Sequence, residues 1–179
     1  MPDPSGAEPT SGPDAAAALV AALTARHLTI AVAESLTGGL LVAELVRIPG
    51  ASVVVAGGVV AYQTPLKHTL LGVDAELLAE HGAVHPEVAR QMATGVRTAL
   101  AIDGRPADIG ISTTGVAGPD EQDGQSVGTV YLGVSFGDRV RAIAISLTGD
   151  RAAIRTQTVA HAIEAVCQLI ESTKLQIAE

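Results

Sequence analysis

Ser35, Tyr62, Lys67, Arg151 and Arg155 are the residues of this 179-residue sequence whose types and placement point most directly to chemistry. A serine hydroxyl is a nucleophile only when a base takes its proton, and no Ser-His-Asp spacing is present. A lysine made neutral by burial can serve as that base. Ser35 lies in Ala33-Glu34-Ser35-Leu36-Thr37-Gly38-Gly39, between a short β-rich apolar run (29–33) and a dense apolar run of helical character (40–47). In an open α/β sheet the end of a strand faces the ligand crevice, so a hydroxyl there is presented to a ligand. The glycine pair allows close approach of backbone N–H groups, and a helix N-terminus favours negative charge. The same position suits a simple helix cap by Ser35 or Thr37, and local sequence leaves both readings open.

The other candidates carry the same ambiguity. Tyr62 and Lys67 follow a second strand-like run directly, as Ser35 follows the first; the alternative is a solvated lysine and a tyrosine that closes a strand. Thr113-Thr114-Gly115-Val116-Ala117-Gly118-Pro119 follows a third strand, and its N–H groups can surround a phosphate or carboxylate. Its spacing is neither that of a P-loop nor that of a dinucleotide fingerprint, so a tight structural turn is the other reading. Arg151 and Arg155 are four apart at the start of the last helix, where cations oppose the helix dipole. A bound anion reconciles that placement, whereas a solvated pair beside Asp150 needs no ligand. His81 and His85 flank Gly82 and precede Pro86, which places them on a loop; with His27, His68 and His161 isolated, no metal site is expected. Cys167 is the only cysteine, so no disulfide framework exists, and core packing is its expected role.

The elements that must position these residues follow from periodicity and punctuation. Residues 1–13, rich in Pro, Gly, Ser and acids, are expected to be a flexible tail, and 14–179 a single domain. Asp14 caps a first helix to about Arg26, and Pro49-Gly50 ends the helix after Ser35. A long strand over 53–62 contains Gly57-Gly58, which suggests a bulge or a close backbone approach. Thr64-Pro65 opens a short helix bearing Lys67 and ending near Gly72; further helices cover 74–80 and 86–101. A strand over 108–112, an antiparallel pair over 128–136 and 140–147, and a helix from about Asp150 to Ser172 complete the chain. The order α-β-α-β-α-α-α-β-β-β-α predicts a three-layer α/β/α sandwich with a mixed, mostly parallel sheet.

Composition bounds the function. The net charge of −8 argues against nucleic acid, whose binding rests on many Lys and Arg contacts to phosphate, yet leaves room for a small anion on a local basic cluster. No stretch approaches the ~20 apolar residues of a membrane span, and the N-terminus has neither a basic start nor a hydrophobic signal core. A soluble, cytoplasmic protein without membrane partners is expected.

Seven motifs in order also carry a resemblance. They are Ala33-Glu34-Ser35-Leu36-Thr37-Gly38-Gly39; Gly57-Gly58-Val59-Val60-Ala61-Tyr62 with Lys67; Leu71-Gly72-Val73; His81-Gly82-Ala83-Val84; Thr114-Gly115-Val116-Ala117-Gly118-Pro119; Val127-Gly128-Thr129-Val130-Tyr131; and Gly149-Asp150-Arg151. Over about residues 15–170 the sequence resembles the CinA C-terminal domain family, the nicotinamide-nucleotide amidohydrolases, in their stand-alone form. The resemblance implies a three-layer α/β/α fold and a homo-oligomer. It also implies hydrolysis of the carboxamide of nicotinamide mononucleotide to nicotinate mononucleotide and ammonia, with no cofactor. The family's catalytic serine, tyrosine and lysine fall on Ser35, Tyr62 and Lys67. On this reading backbone N–H groups near Thr37, Gly38 and Gly39 hold the oxyanion, and Arg151, Arg155 and the loop containing Thr114, Gly115 and Gly118 bind phosphate. Glu34 or Asp120 complements the pyridinium ring. Similar sequences often have a glycine-rich turn and Lys-Pro before Val-Gly-Thr, where this one reads Asp120-Glu121-Gln122-Asp123-Gly124-Gln125-Ser126. The missing positive charge bears on phosphate affinity and substrate range. A non-catalytic nucleotide-binding or interaction domain, and an amidase of another small carboxamide, are the alternatives.

Overall fold

The computed structural model of the chain describes the backbone of residues 14–177 and the side chains of 14–172, so the tail expected over 1–13 lies outside the described residues. Its elements are α1 (Ala15–Arg26), β1 (Ile30–Glu34), α2 (Leu40–Val46), β2 (Val55–Val60), α3 (Thr64–Leu71), α4 (Ala75–His81), α5 (Pro86–Ala99), β3 (Ile109–Gly115), β4 (Thr129–Phe136), β5 (Arg139–Ser146) and α6 (Arg151–Ile177). The sheet order is β2-β1-β3-β4-β5. β1 pairs in parallel with both β2 and β3, while β3–β4 and β4–β5 are antiparallel, so four strands run one way and β4 alone opposes them.

Alternation along β1 divides the core. Ile30 and Val32 join Ile109, Ile111, Val130 and Leu132 beneath α1, α2 and α6; Ala31 and Ala33 face Leu71, Leu78, Val88, Met92 and Val96 of α3, α4 and α5. Period-two alternation on strands that are buried on both faces produces these three layers. The second face is lined by smaller residues, and α5 lies correspondingly close. A Cβ at Gly110 or Gly133 would collide with the α5 carbonyls of Ala93 and Ala89.

Several boundaries differ from the sequence expectation. The strand expected over 53–62 is shorter, because Ala51–Val53 is a single 3₁₀ turn. Both expected roles of the glycine pair occur in it. Val55 and Gly57 oppose consecutive β1 residues, leaving Ala56 as a bulge, and Gly58 packs directly on Val42 of α2. β3 extends to Gly115, since Thr114 and Gly115 find ladder partners in Tyr131 and Val130. The supposed anion loop therefore begins only at Val116. α6 continues beyond Ser172 to Ile177. Among the described residues no helix is long and apolar enough to cross a membrane.

Candidate active site

The carboxyl ends of β1 and β3 diverge, because the chain leaves β1 toward β2 on one side and reaches β3 on the other. Such a switch point is where open α/β sheets form their ligand crevice. A cavity of about 340 Å³ lies there, lined by Ser35 and Leu36 after β1, Tyr62 to Thr64 after β2, Thr114 to Gln122 at the end of β3 and beyond, Ala83 and Val84, and Arg151.

Glu34, the last residue of β1, settles the capping question at Ser35. Its fully buried carboxylate accepts hydrogen bonds from the N–H groups of Gly39 (2.9 Å), Leu41 (3.1 Å) and Val42 (2.9 Å). A carboxylate at a helix N-terminus satisfies donors that have no intrahelical partner and complements the dipole. Neither Ser35 nor Thr37 caps α2. The expectation that Glu34 faces the ligand is thereby corrected: its oxygens are committed to the helix, and it does not line the cavity. Thr37 is also fully buried, its hydroxyl 2.8 Å from that of Thr113. The Ser35 N–H donates to the Thr113 carbonyl at 3.0 Å.

Freed from capping, the Ser35 hydroxyl lies 3.1 Å from Lys67 Nζ. Pro65 in the first turn of α3 starts the helix, and the four-residue spacing of Lys67 and Leu71 turns both into the core. Lys67 is fully buried, which excludes a solvated surface lysine. Its amine also donates to the carbonyls of Ala61 (2.8 Å) and Tyr62 (3.3 Å). A neutral amine has two donors and one lone pair. The two carbonyls use the donors, leaving the lone pair to accept the Ser35 proton. Burial, which disfavours the charged form, lowers the Lys67 pKa to about 8, with the Asp123 carboxylate acting in the opposite direction.

Tyr62 meets Lys67 through its backbone carbonyl. Its half-exposed phenol turns away, and the hydroxyl accepts from Arg151 at 2.9 Å, so a proton relay through the phenol to Lys67 has no geometric basis. The two arginines separate as well. Arg151 lines the cavity and also donates to the Gly118 carbonyl at 2.7 Å. Arg155 instead donates to the carbonyls of Leu36 (2.9 Å) and Thr37 (2.8 Å), bracing the turn behind Ser35, and is not among the lining residues. This corrects its expected role as a phosphate ligand. The solvated-pair alternative fails too, since both guanidinium groups have protein acceptors.

The proposed oxyanion donors also need correction. Gly38 N–H donates to the Ser35 carbonyl at 3.2 Å and Gly39 N–H to Glu34, so both are occupied. Their φ angles of +60° and +99° instead give these glycines a conformational role in the turn. Leu36 and Thr37 are the residues of this turn whose N–H groups have no hydrogen-bond partner among the described residues, and Leu36 lines the cavity. Thr114, Gly115, Gly118 and Asp120 all line it. The Thr114 hydroxyl donates to the Ala83 carbonyl at 2.6 Å, joining β3 to the 82–84 segment.

Sequence reasoning gave no role to Asp123 or to Ala83. The Asp123-Gly124 pair was the available signal, because it favours a tight turn with a defined side-chain direction. His81 closes α4 and His85 caps α5, with their rings stacked 4.7 Å apart. Among the described residues no group of three or more His, Cys, Asp or Glu side chains is placed to hold a metal.

Comparison with known proteins agrees with this architecture. The family model described as the CinA C-terminal domain matches residues 13–170. A CinA-like protein of Frankia casuarinae is 45% identical over 148 residues, 83% of this chain and 33% of that protein. A putative competence-damage inducible protein of a Geobacillus species is 50% identical over 137 residues, 76% of this chain and 32% of that protein. The chain thus spans about a third of the length of these curated relatives. The crystal structure of a competence-damaged protein (CinA) superfamily member from Klebsiella pneumoniae superposes with a TM-score of 0.82 at 33% identity, covering 90% of this chain and 99% of that one. A competence/damage inducible protein from Agrobacterium tumefaciens gives 0.81 at 33% identity, covering 87% and 93%.

Proposed function

The chain belongs to the CinA C-terminal domain family, and on that premise we propose that its cavity hydrolyses the carboxamide of nicotinamide mononucleotide to nicotinate mononucleotide and ammonia. The observation that carries this reading is the 3.1 Å approach of a fully buried lysine amine to the Ser35 hydroxyl at the cavity wall. An amide is resonance-stabilised, and its hydrolysis needs an activated nucleophile, oxyanion stabilisation and a proton for the departing amine.

The residues divide that work. Neutral Lys67 takes the Ser35 proton as Oγ attacks the carboxamide carbon, and the carbonyl electrons move onto oxygen. The Leu36 N–H, with that of Thr37 behind it, stabilises the oxyanion. Collapse of the tetrahedral intermediate breaks the C–N bond while the Lys67 ammonium gives its proton to nitrogen, releasing ammonia and leaving an ester on Ser35. Lys67, neutral again, deprotonates a water that attacks the ester. The second tetrahedral intermediate collapses, the C–Oγ bond breaks, and the proton returns from Lys67 to Ser35. Arg155 acts on this sequence indirectly, by fixing the turn that carries Ser35. Arg151 meets the phosphate, and Asp120 offers a counter-charge to the pyridinium.

One observation favours a second reading, an amidase of another small carboxamide. With Arg155 facing the Ser35 turn, Arg151 is the cation left at a mouth that also carries Asp120 and Glu121. That balance suits a substrate with less negative charge than a nucleotide. Ammonia release from nicotinamide mononucleotide, nicotinamide riboside and free nicotinamide, each with Ser35→Ala as control, tests both. Serine-dependent release fastest from the nucleotide is expected; release from the riboside alone moves the function to the second reading, and release from none removes the proposed hydrolysis of the nucleotide.

A further inference from the structure

Side chains alternate along β3, so Ile109, Ile111 and Thr113 share one face and Ser112 and Thr114 the other. Ile109 and Ile111 join the core beneath α1, α2 and α6, and at Thr113 that apolar row gives way to a hydroxyl that is still fully buried. The hydroxyls of the opposite face are committed: Ser112 donates to the Ala89 carbonyl and Thr114 to the Ala83 carbonyl, each at 2.6 Å. The Thr113 hydroxyl instead meets that of Thr37, also fully buried, at 2.8 Å, and lies 3.4 Å from the Ser35 N–H. Valine has nearly the same shape as threonine and buries no hydrogen-bonding group, so packing alone calls for neither threonine.

The turn from Ser35 to Gly38 is held by two elements. Arg155 of α6 donates to the carbonyls of Leu36 (2.9 Å) and Thr37 (2.8 Å), while within the turn the Ser35 carbonyl accepts from the Gly38 N–H at 3.2 Å. In a trans peptide the C=O and N–H point in opposite directions. The Leu36 N–H is therefore turned away from Gly38, and the Thr37 N–H away from Arg155. These are the two N–H groups of the turn without a partner among the described residues. From β3, the Thr113 carbonyl holds the Ser35 N–H at 3.0 Å and the Thr113 hydroxyl holds the Thr37 side chain.

Resting on the hydrolytic reading above, we propose that the Thr37–Thr113 hydroxyl pair positions the oxyanion donors: it fixes the Ser35–Gly38 turn so that the Leu36 and Thr37 N–H groups meet the oxygen that gains charge. Thr113 thereby acts on the rate from a strand that supplies neither the nucleophile nor the base. Arg155 grips the turn by its carbonyls, and the contact on the Thr37 side chain stops the turn from swinging about that grip. Donors stabilise a developing oxyanion most when they are already in place and need no reorganisation. Neither threonine lines the cavity, and neither contacts the Lys67 amine. Loss of the pair is therefore felt in the tetrahedral state and not in the bound carboxamide.

Pyridine-3-boronic acid tests this without turnover, because a boronate on Ser35 is a tetrahedral anion shaped like the intermediate. Nicotinamide reports binding of the planar carboxamide. Both affinities, with kcat and KM for ammonia release, are measured in the native protein, Thr37→Val, Thr113→Val, the double variant and Thr113→Ser. Ser35→Ala is the control for the adduct, and circular dichroism checks the fold. Boronate affinity and kcat are expected to fall about 10- to 100-fold in each valine variant, with nicotinamide affinity and KM nearly unchanged. The double variant should lose no more than either single one, because the two side chains share one contact. Thr113→Ser, which keeps the hydroxyl and gives up the methyl, should recover most of the loss. Native-like boronate affinity in either valine variant overturns the assignment, and so do additive losses in the double variant. An equal loss in Thr113→Ser overturns it as well, by making packing the cause. A native protein that forms no boronate adduct has the same consequence. If Thr113→Val does not fold, Thr37→Val decides. An adduct weakened in the valine variants of a protein that releases no ammonia from any carboxamide keeps this inference and removes the proposed function. Normal ammonia release with unmoved boronate affinity in those variants does the reverse.

Discussion

The two walls of the cavity are built from different materials. One carries Ser35 and Lys67 and is an extension of the core: Glu34, Thr37, Thr113 and Lys67 are fully buried there, and each of these four side chains has a protein hydrogen-bond partner. The other, from Val116 to Gln122 with Arg151, is largely loop, and its acidic side chains reach solvent. A buried polar network holds one geometry because an unsatisfied member is costly, whereas an exposed loop tolerates changes in residue type. Ser35 and Lys67 therefore sit on the rigid wall, and the acidic residues Asp120 and Glu121 fall on the adaptable one.

That contrast can be broken most directly at Ser35. Ser35→Ala is expected to lower turnover by ~10⁴-fold or more with the fold retained, since groups that act as a unit are lost together. Lys67→Arg should match it, because a guanidinium stays protonated and cannot accept the serine proton. Steady-state ammonia release with circular dichroism checks both; near-native turnover of either variant places the chemistry elsewhere.

At Glu34 the rigid wall is tested for stability. Glu34→Ala leaves the N–H groups of Gly39, Leu41 and Val42 without their acceptor and is expected to cost about 3–5 kcal/mol, with Glu34→Gln costing less. Denaturant unfolding measures it, and a loss below about 1 kcal/mol would mean that water replaces the carboxylate easily.

Lys67 gives the same wall a signature in pH. Its pKa is about 8 in the folded protein against an ordinary value of 10.5. Between those values the unfolded chain binds more protons, so this group makes stability rise as pH climbs from about 8 to about 10.5. Below that window its burial costs on the order of 3 kcal/mol, and above it the cost is gone. Unfolding free energies of the native protein and Lys67→Met should converge from pH 7 to 10.5; a constant gap would show that the lysine titrates normally. In turnover, the low-pH limb of kcat/KM should fall near pH 8 in the native protein.

The arginine pair sharpens the comparison with the smallest effects. Arg151→Ala should raise KM for a phosphorylated substrate by the equivalent of about 1.5–3 kcal/mol and leave kcat nearly unchanged. Arg155→Ala should instead lower kcat, by about 10- to 100-fold, because Ser35 loses the brace behind its turn. Kinetics on the nucleotide and the riboside separate the two. Equal behaviour of the variants would erase the distinction between the walls.

Much of the fold was legible in the sequence, because periodicity and punctuation are local. The short β-rich apolar run over 29–33, Pro65 and Pro86 at helix starts, and Gly72 at a helix end placed elements within a few residues. The strand-turn-helix setting of Ser35 and the position of Lys67 after the next strand were equally local. The partners of the charges were not. That Glu34, and neither Ser35 nor Thr37, satisfies the start of α2 depended on how that helix packs against the end of β1. Arg151 and Arg155, identical in type and one turn apart, were separated only by what each met across α6: a tyrosine hydroxyl and the Gly118 carbonyl, or the carbonyls of the Ser35 turn. Asp123 reaches a backbone N–H 40 residues earlier in the chain, a contact that no local pattern encodes. Sequence determined where polar groups interrupt an apolar layered fold. Tertiary structure decided which of them are paired with each other and which are left to face the cavity, because in a buried site the choice of partner is set by the packing of distant elements.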